Sequence, residues 1–380
     1  MLFAPDSFKG TLSSVEVARA LAEGWTQARP DDVISLAPLA DGGDGTMEAV
    51  AAASPPGLER HLVRVSDPLG RPIDAEYLTV GDGTTALVEM AAASGLARVA
   101  GGERDALRAS TDGTGGLMRA AIARGARYLV LCLGGSATTD GGSGLLRALG
   151  ARLLDANGRD LAPGGAALAT IADLRLDGLP AELGSVHLTV ASDVRNPLLG
   201  PSGAAAVFGP QKGASPDQVA ALEIALLRWA AVLEGASGRS VRDVPGTGAA
   251  GGTLAGLLAI EDRLAGLVVR PGIEVVMELT RFQDRLGACD LVVTGEGRLD
   301  AQTALGKTVW GVAQRARAAG VRIVAVVGSF GEGGRDVAAG LLVRVVTTSD
   351  GIADVEQAMT AGAAPLRAAA ARLAASIDQP

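Results

Sequence analysis

Lysine is scarce in this chain: of 34 basic residues, only Lys9, Lys212 and Lys307 are lysines. Histidine and cysteine are scarcer still, with two each, and aromatic residues make up only 3%. Each shortage excludes something. The lack of aromatics removes base-stacking platforms, and a net charge of −8 with a pI near 5.0 leaves no basic face for nucleic acid. His61 and His187 lie in alternating, strand-like stretches and read as structural residues, which argues against a Ser-His-Asp hydrolase and a His-ligated zinc enzyme. Cys132 and Cys289 fall in or beside apolar runs and read as buried thiols, not as a disulfide or a metal site. No apolar run reaches membrane-spanning length, and Met1 to Asp6 shows no signal-peptide pattern, so a cytoplasmic protein without a membrane partner is expected.

What is present is glycine, 53 of 380 residues, within a 48% hydrophobic composition. That combination reads as an α/β protein packed with alanine, valine and leucine and rich in tight loops, long enough for two or three domains. The chain starts as strand, loop and helix. Leu2-Phe3-Ala4 is apolar, and Ser13 with Glu16 forms a capping box for a helix expected to bury Val15, Ala18, Leu21, Ala22 and Trp25. A second such unit follows, from the run Val33 to Leu36 through Asp41, Gly42, Gly43 and Asp44 to a helix at Met47. Over residues 61–100 the pattern turns to alternating strands. Further strands are expected at Tyr128 to Leu133, Val186 to Ala191, Leu291 to Thr294, Ile323 to Val327 and Leu341 to Val346, with helices near 115–124, from Ser215 through Trp229, from Thr308 and at the alanine-rich C-terminus. Strands alternating with helices predict a mainly parallel sheet. With its first strand at residue 2 and its last elements near the C-terminus, the sheet is expected to be interrupted by an inserted domain, with residues 1–56 and 275–380 forming the first domain and 57–274 the second.

The informative loops follow apolar strands and precede helices, the edge of an open parallel sheet where ligands bind. They carry Asp6, the pair Asp41 and Asp44, Asp193, and the pair Glu296 and Asp300; another runs from Gly134 to Gly142 with Ser136, Thr138, Thr139 and Asp140. Glycine turns with hydroxyls present backbone N–H groups to phosphate oxygens, and nearby carboxylates hold Mg2+ through water or take a proton from a hydroxyl. A lone Asp-Gly pair is an ordinary turn; five loops of this composition at strand ends are not. Each lysine also abuts a glycine, and lysine offers a compact point charge where arginine offers a planar fork. Two motifs fail on inspection. Gly306-Lys307-Thr308 resembles the end of a phosphate-binding loop, but Ala301 stands where that motif needs glycine. Gly246 to Gly251 fits G-x-G-x-x-G, yet it follows Asp243-Val244-Pro245 and no strand, so it reads as the start of a helix.

Six segments in order resemble the type 1 glycerate kinases along nearly the whole length: Ala4 to Gly10, Leu39 to Thr46, Leu133 to Gly142, Ser192 to Leu198, Val207 to Gly213, and Gly295 to Asp300 with Gln302 and Thr303. The departures are Ser192 where the family often has cysteine, Thr139 where it often has asparagine, and Asp44 where it often has glutamate. The resemblance implies phosphorylation of D-glycerate by ATP with Mg2+. It also implies a flavodoxin-like, Rossmann-like parallel-sheet domain with a second α/β domain inserted and the active site in the inter-domain cleft. On that reading ATP lies along the loop with Gly134, Gly135, Ser136 and Thr138 on its phosphates, assisted by Lys212 and Lys307. Mg2+ is held by Asp41 or Asp193, and Lys9 pairs with the glycerate carboxylate or the transferred phosphoryl group. Asp193 orients or deprotonates the attacking hydroxyl, while Asp6, Ser7, Asn196, Glu296 and Asp300 line the substrate. The family favours 2-phosphoglycerate over 3-phosphoglycerate as product. Two other classes stay open: a non-catalytic two-domain binding protein for a small carboxylate or phosphate, disfavoured by the paired acids, and an NAD-dependent 2-hydroxy-acid dehydrogenase, disfavoured by the misplaced glycine fingerprint.

Overall fold

The computed structural model describes residues 1–301, 303, 306–341, 344–348 and 360–377. The chain divides into two compact units, Met1–Pro55 with Pro271–Pro380, and Pro56–Arg270. With the strands numbered in chain order, the first unit holds β1 (Leu2–Phe3), β2 (Ser35–Leu36), β11 (Leu291–Leu299), β12 (Arg322–Phe330) and β13 (Arg344–Thr347). They form one sheet in the order β13-β12-β11-β1-β2, parallel throughout. Counted within the unit, that is the 2-1-3-4-5 order of flavodoxin-like sheets, whose strand order reverses between the first and third strands. Here the reversal falls between β1 and β11.

The strands are apolar on both sides because both sheet faces are covered. Phe3, Val293 and Val326 pack against Trp25 and Leu21 of the helix Ser14–Ala28 and Leu373 of the helix Ala364–Ser376. Leu2, Val292 and Ile323 face the opposite way, against Val276 of the helix Gly272–Leu279 and Val312 of the helix Thr308–Ala318. The Ser13/Glu16 capping box forms, but the helix buries Val17, Ala18, Leu21 and Trp25, while Val15 and Ala22 stay half-buried. The stripe is rotated because the helix serves the sheet and the C-terminal helix together: a Cβ at Gly24 would lie 2.1 Å from the carbonyl oxygen of Arg367.

Two strand boundaries differ from the sequence reading. β11 continues through Leu299, pairing with β12 as far as Phe330, so Gly295 to Leu299 is strand and not loop. Its glycines mimic a loop in the sequence, yet Gly295 is glycine because a Cβ there would sit 2.1 Å from Val326 O across the pair. Leu341 ends the helix Gly334–Leu341, and β13 begins at Arg344; Leu342 and Val343 lie outside the described residues, as does Gln302.

The second unit carries β3 (Glu59–Ser66), β4 (Pro72–Val80), β5 (Thr85–Glu89), β6 (Tyr128–Cys132), β9 (His187–Ala191) and β10 (Gly266–Arg270) in a mixed sheet ordered β10-β9-β6-β5-β4-β3. The four strands from β10 to β5 are parallel, while β4 and β3 return antiparallel. A separate antiparallel pair joins β7 (Arg152–Asp155) and β8 (Ile171–Arg175). The helix Pro216–Ser237 starts with the capping box of Ser215 and Gln218 and proline in its first turn, and it runs past Trp229. No helix among the described residues is long and apolar enough to cross a membrane.

Candidate active site

In the first unit the functional side chains gather at the C-terminal edge of the sheet, at its reversal point. Asp6 follows β1, and its backbone N–H donates to Gly295 O of β11 at 2.8 Å. Its buried carboxylate accepts from the backbone N–H of Ser7 at 2.6 Å and from the hydroxyl of Thr308, the first residue of the helix Thr308–Ala318. Burial, and secondarily the Asp41 charge, raise its pKa to about 6 against these hydrogen bonds. Glu296, on β11, is buried as well and accepts from Thr303 Oγ1 at 2.7 Å. Burial pushes it up to about 7, while the Lys307 charge pulls the other way. Because Glu296 sits on a strand and not on a flexible turn, its carboxyl is held in a set direction.

Lys9 faces Asp41 at 3.4 Å, with its side chain 77% exposed against 21% for Asp41. Asp41, and after it Asp6, raise the Lys9 ammonium pKa. So long and open an ion pair contributes little to stability, which leaves Lys9 free to exchange Asp41 for an incoming anion at low cost. Asp41 itself is braced by backbone: the helix Gly272–Leu279 begins so close that a Cβ at Gly272 would lie 1.9 Å from Asp41 O. Asp300 keeps a 3.9 Å contact with Arg298, and Asp44 is exposed. Lys307 precedes Thr308 as the N-terminal cap residue of that helix, so the structure sets it among the acids of this unit, beside Glu296.

In the second unit the glycine-rich loop leaves β6 and Asp193 leaves β9. These strands are parallel neighbours in register from Tyr128 with His187 to Cys132 with Ala191, so the loop and Asp193 emerge at the same sheet edge. Asp193 is exposed. Asn196 uses its side-chain amide to donate to Ser202 O at 2.8 Å, which holds its own loop. Gly134, Gly135 and Ser136 form the accessible part of the glycine-rich loop; Thr138 to Asp140 are buried. Asp140 accepts from Thr111 N and Oγ1 and from the backbone N–H groups of Gly142 and Gly144, at 2.8 to 3.1 Å. Full burial raises its proton affinity, opposed by those donors. Trp229 Nε1 donates to Gly141 O at 2.9 Å, and Gly141 N to Gly251 O at 2.9 Å.

That last contact explains the glycine fingerprint at Gly246 to Gly251. A Cβ at Gly251 would come within 2.0 Å of Thr138 O, so the motif is a packing surface for the loop, and it leads into the helix Thr253–Leu258. Lys212 lies under the same loop. It is 2% exposed and donates from Nζ to Thr138 O at 2.5 Å. Neither Lys212 nor Thr138, which is 0% exposed, presents a side chain to solvent, in contrast to the direct phosphate contacts expected of both.

The sequence reading missed Thr303 and Thr308, the hydroxyls that hold Glu296 and Asp6. The Thr308–Asp6 contact spans 302 residues, so no local signal marks it. It also passed over Glu89, a buried acid at the C-terminal end of β5, on the edge shared with the glycine-rich loop. Among the described residues no group of three or more His, Cys, Asp or Glu side chains is arranged to hold a metal ion. The carboxylates therefore do not form a protein cage. They do suit Mg2+ arriving with a nucleotide, which needs only one or two carboxylates besides phosphate oxygens and water.

The sequence pattern of the Glycerate kinase family matches residues 1–378. The protein named glycerate kinase in Halalkalibacterium halodurans is 41% identical over 381 aligned positions, covering 98% of this chain and 97% of that one. Glycerate 2-kinase of Escherichia coli is 42% identical over 330 positions, 87% of this chain and 85% of its own. A crystal structure described as that of a candidate glycerate kinase 2 from Salmonella typhimurium LT2 aligns with a TM-score of 0.82 at 41% identity, covering 99% of this chain and 97% of that one.

Proposed function

The chain belongs to the glycerate kinase family, and from that premise we propose that it transfers the γ-phosphoryl group of ATP to the 2-hydroxyl of D-glycerate, giving 2-phosphoglycerate and ADP. The observation that carries this reading to particular residues is the cluster at the reversal point of the first sheet. There two buried carboxyls with proton affinities near neutrality, Asp6 and Glu296, lie among the charges of Lys9, Asp41 and Lys307. Phosphoryl transfer demands positioning and charge neutralisation, with a proton acceptor for the attacking hydroxyl. Lys9 takes the glycerate carboxylate or the transferred phosphoryl group, exchanging the exposed Asp41 contact for it. Glu296 takes the hydroxyl proton, since a base works best when its pKa lies near the working pH.

The backbone of Gly134, Gly135 and Ser136 receives the ATP phosphates. Asp193, on the same edge as that loop, orients the hydroxyl or the Mg2+ of the nucleotide; Asp41 is the alternative carboxylate for the metal. The metal's contribution when bound is to neutralise charge on the phosphates. The proposal sets the enzyme in the cytoplasm, where ATP is made.

Phosphorus NMR of a reaction with ATP, Mg2+ and D-glycerate tests the reading directly. The 2-phosphoglycerate resonance is expected; a 3-phosphoglycerate signal would correct the regiochemistry, and the absence of any turnover would overturn the activity. Lysine substitutions test the roles. Lys9→Arg is expected to raise KM for glycerate about tenfold, because the planar fork displaces the charge. Lys307→Met removes the charge that lowers Glu296, so the acid limb of kcat/KM should move to higher pH. A pH profile identical to the parent enzyme would separate Lys307 from that carboxyl.

A further inference from the structure

Lys212 is an ionisable group that the proposed reaction does not use directly. It closes the short turn Pro210–Lys212, ahead of the capped helix Pro216–Ser237, and points inward, 2% exposed. Of an ammonium's three donors, one goes to the carbonyl of Thr138 at 2.5 Å. Thr138 has no hydrogen-bonded hydroxyl among the described residues and neither has Thr139, so these two side chains do not fix the stretch. Its backbone is fixed by Asp140 from within and by two side chains from outside. Lys212 holds the carbonyl of Thr138, Trp229 that of Gly141, and Asp140 the amides of Gly142 and Gly144. Two residues before Thr138 the chain is at Ser136, where the accessible part of the loop begins.

We propose that Lys212 is a positioning residue of the nucleotide loop, acting through the Thr138 carbonyl to set the conformation in which Gly134, Gly135 and Ser136 meet the phosphates of ATP. The proposal rests on the kinase reading. Burying a lysine so completely costs stability, a cost that the Thr138 carbonyl and the Asp140 charge offset only in part. The charged and titratable groups around it are Asp140, whose negative charge favours the ammonium, and Arg104, whose guanidinium donates to the adjacent Gln211 carbonyl at 3.2 Å. Burial outweighs Asp140 and brings the Lys212 pKa down from 10.5 to about 7.

The unfolded chain keeps this lysine protonated up to its ordinary pKa, whereas the folded chain releases the proton above about 7. Stability attributable to Lys212 therefore rises with pH between those values and is lowest at and below neutrality.

The test is Lys212→Met, which is one atom shorter, unbranched like lysine, and removes the donor and the charge. Melting temperature at pH 7 should be unchanged or higher, and the rise of stability above pH 7 should disappear. At the same time KM and Kd for ATP should increase about tenfold or more, the scale of a lost charge-assisted hydrogen bond, while KM for glycerate stays within about twofold. Lys212→Arg should bind ATP no better than the methionine variant, because the buried slot has no room for a longer, planar cation.

An unchanged affinity for ATP in Lys212→Met would overturn the proposal. So would equal losses for both substrates together with a lower melting temperature, which mark a residue that merely holds the fold. Rescue by arginine, meaning parental ATP affinity in Lys212→Arg, would place the charge on the phosphates themselves and likewise refute it. If the methionine variant does not fold, Lys212→Leu, which likewise removes donor and charge, carries the same comparison, and ATP affinity equal to the parent refutes the proposal there too. Kd for ATP is measured without glycerate, so a parent enzyme that binds ATP but fails to phosphorylate glycerate would overturn the kinase reading and leave the Lys212 comparison valid.

Discussion

Glu296→Gln is expected to lower kcat by roughly a hundredfold or more, the scale of losing a general base, without lowering the melting temperature at pH 8. Both effects come from the burial of one carboxyl. Burial raises the Glu296 carboxyl from 4.5 to about 7, so the folded protein retains a proton there that the unfolded chain gives up. Stability from this group is fully present below the unfolded value and is lost as pH rises through about 7. Above that pH the parent buries a carboxylate against the Thr303 hydroxyl, and glutamine removes the charge while its carbonyl still accepts that hydrogen bond. The parent kcat/KM for glycerate should rise with pH through an acid limb near 7, and the glutamine variant should lose that limb. A limb centred near 6 that survives in Glu296→Gln would transfer the role to Asp6. Full activity in a folded variant would remove Glu296 from the chemistry altogether.

Asp193→Asn is the second large effect. We expect kcat to fall at least about a hundredfold, with the melting temperature little changed, because an exposed strand-end residue contributes little to packing. Its position supports this expectation: β6 and β9 are adjacent and parallel, so the glycine-rich loop proposed to receive the phosphates and the carboxylate that follows β9 leave the same sheet edge. A role on the metal and a role on the hydroxyl differ in one observable. If Asp193 steers Mg2+, higher Mg2+ concentration should restore part of the activity of the asparagine variant. If it orients the hydroxyl, activity should not respond. A variant with near-parental kcat at ordinary Mg2+ would exclude both.

The sequence by itself determined much of this protein. Alternation of apolar strands with capped helices specified an α/β fold with a mainly parallel sheet, and the capping boxes at Ser13 and Ser215 located two helix starts, because a cap is a local bargain between residues three apart. It also marked the loops at strand ends as the chemical edge and kept Lys9, Asp6, Asp41, Glu296 and Asp193 in view.

Only the tertiary structure decided what those residues are. Glu296 looked like a loop acid because glycines flank it, but it is strand, and Gly295 before it serves close pairing of β11 with β12. Lys212 was expected to meet the ATP phosphates directly and is instead buried under the glycine-rich loop. The glycines of Gly246 to Gly251 read as the start of a helix, which they are, but only the packing shows that they also let Thr138 O approach Gly251. Burial, proton affinity and the Thr308–Asp6 contact across 302 residues come from which segments meet, and that depends on strand order and packing, quantities to which local sequence patterns are blind.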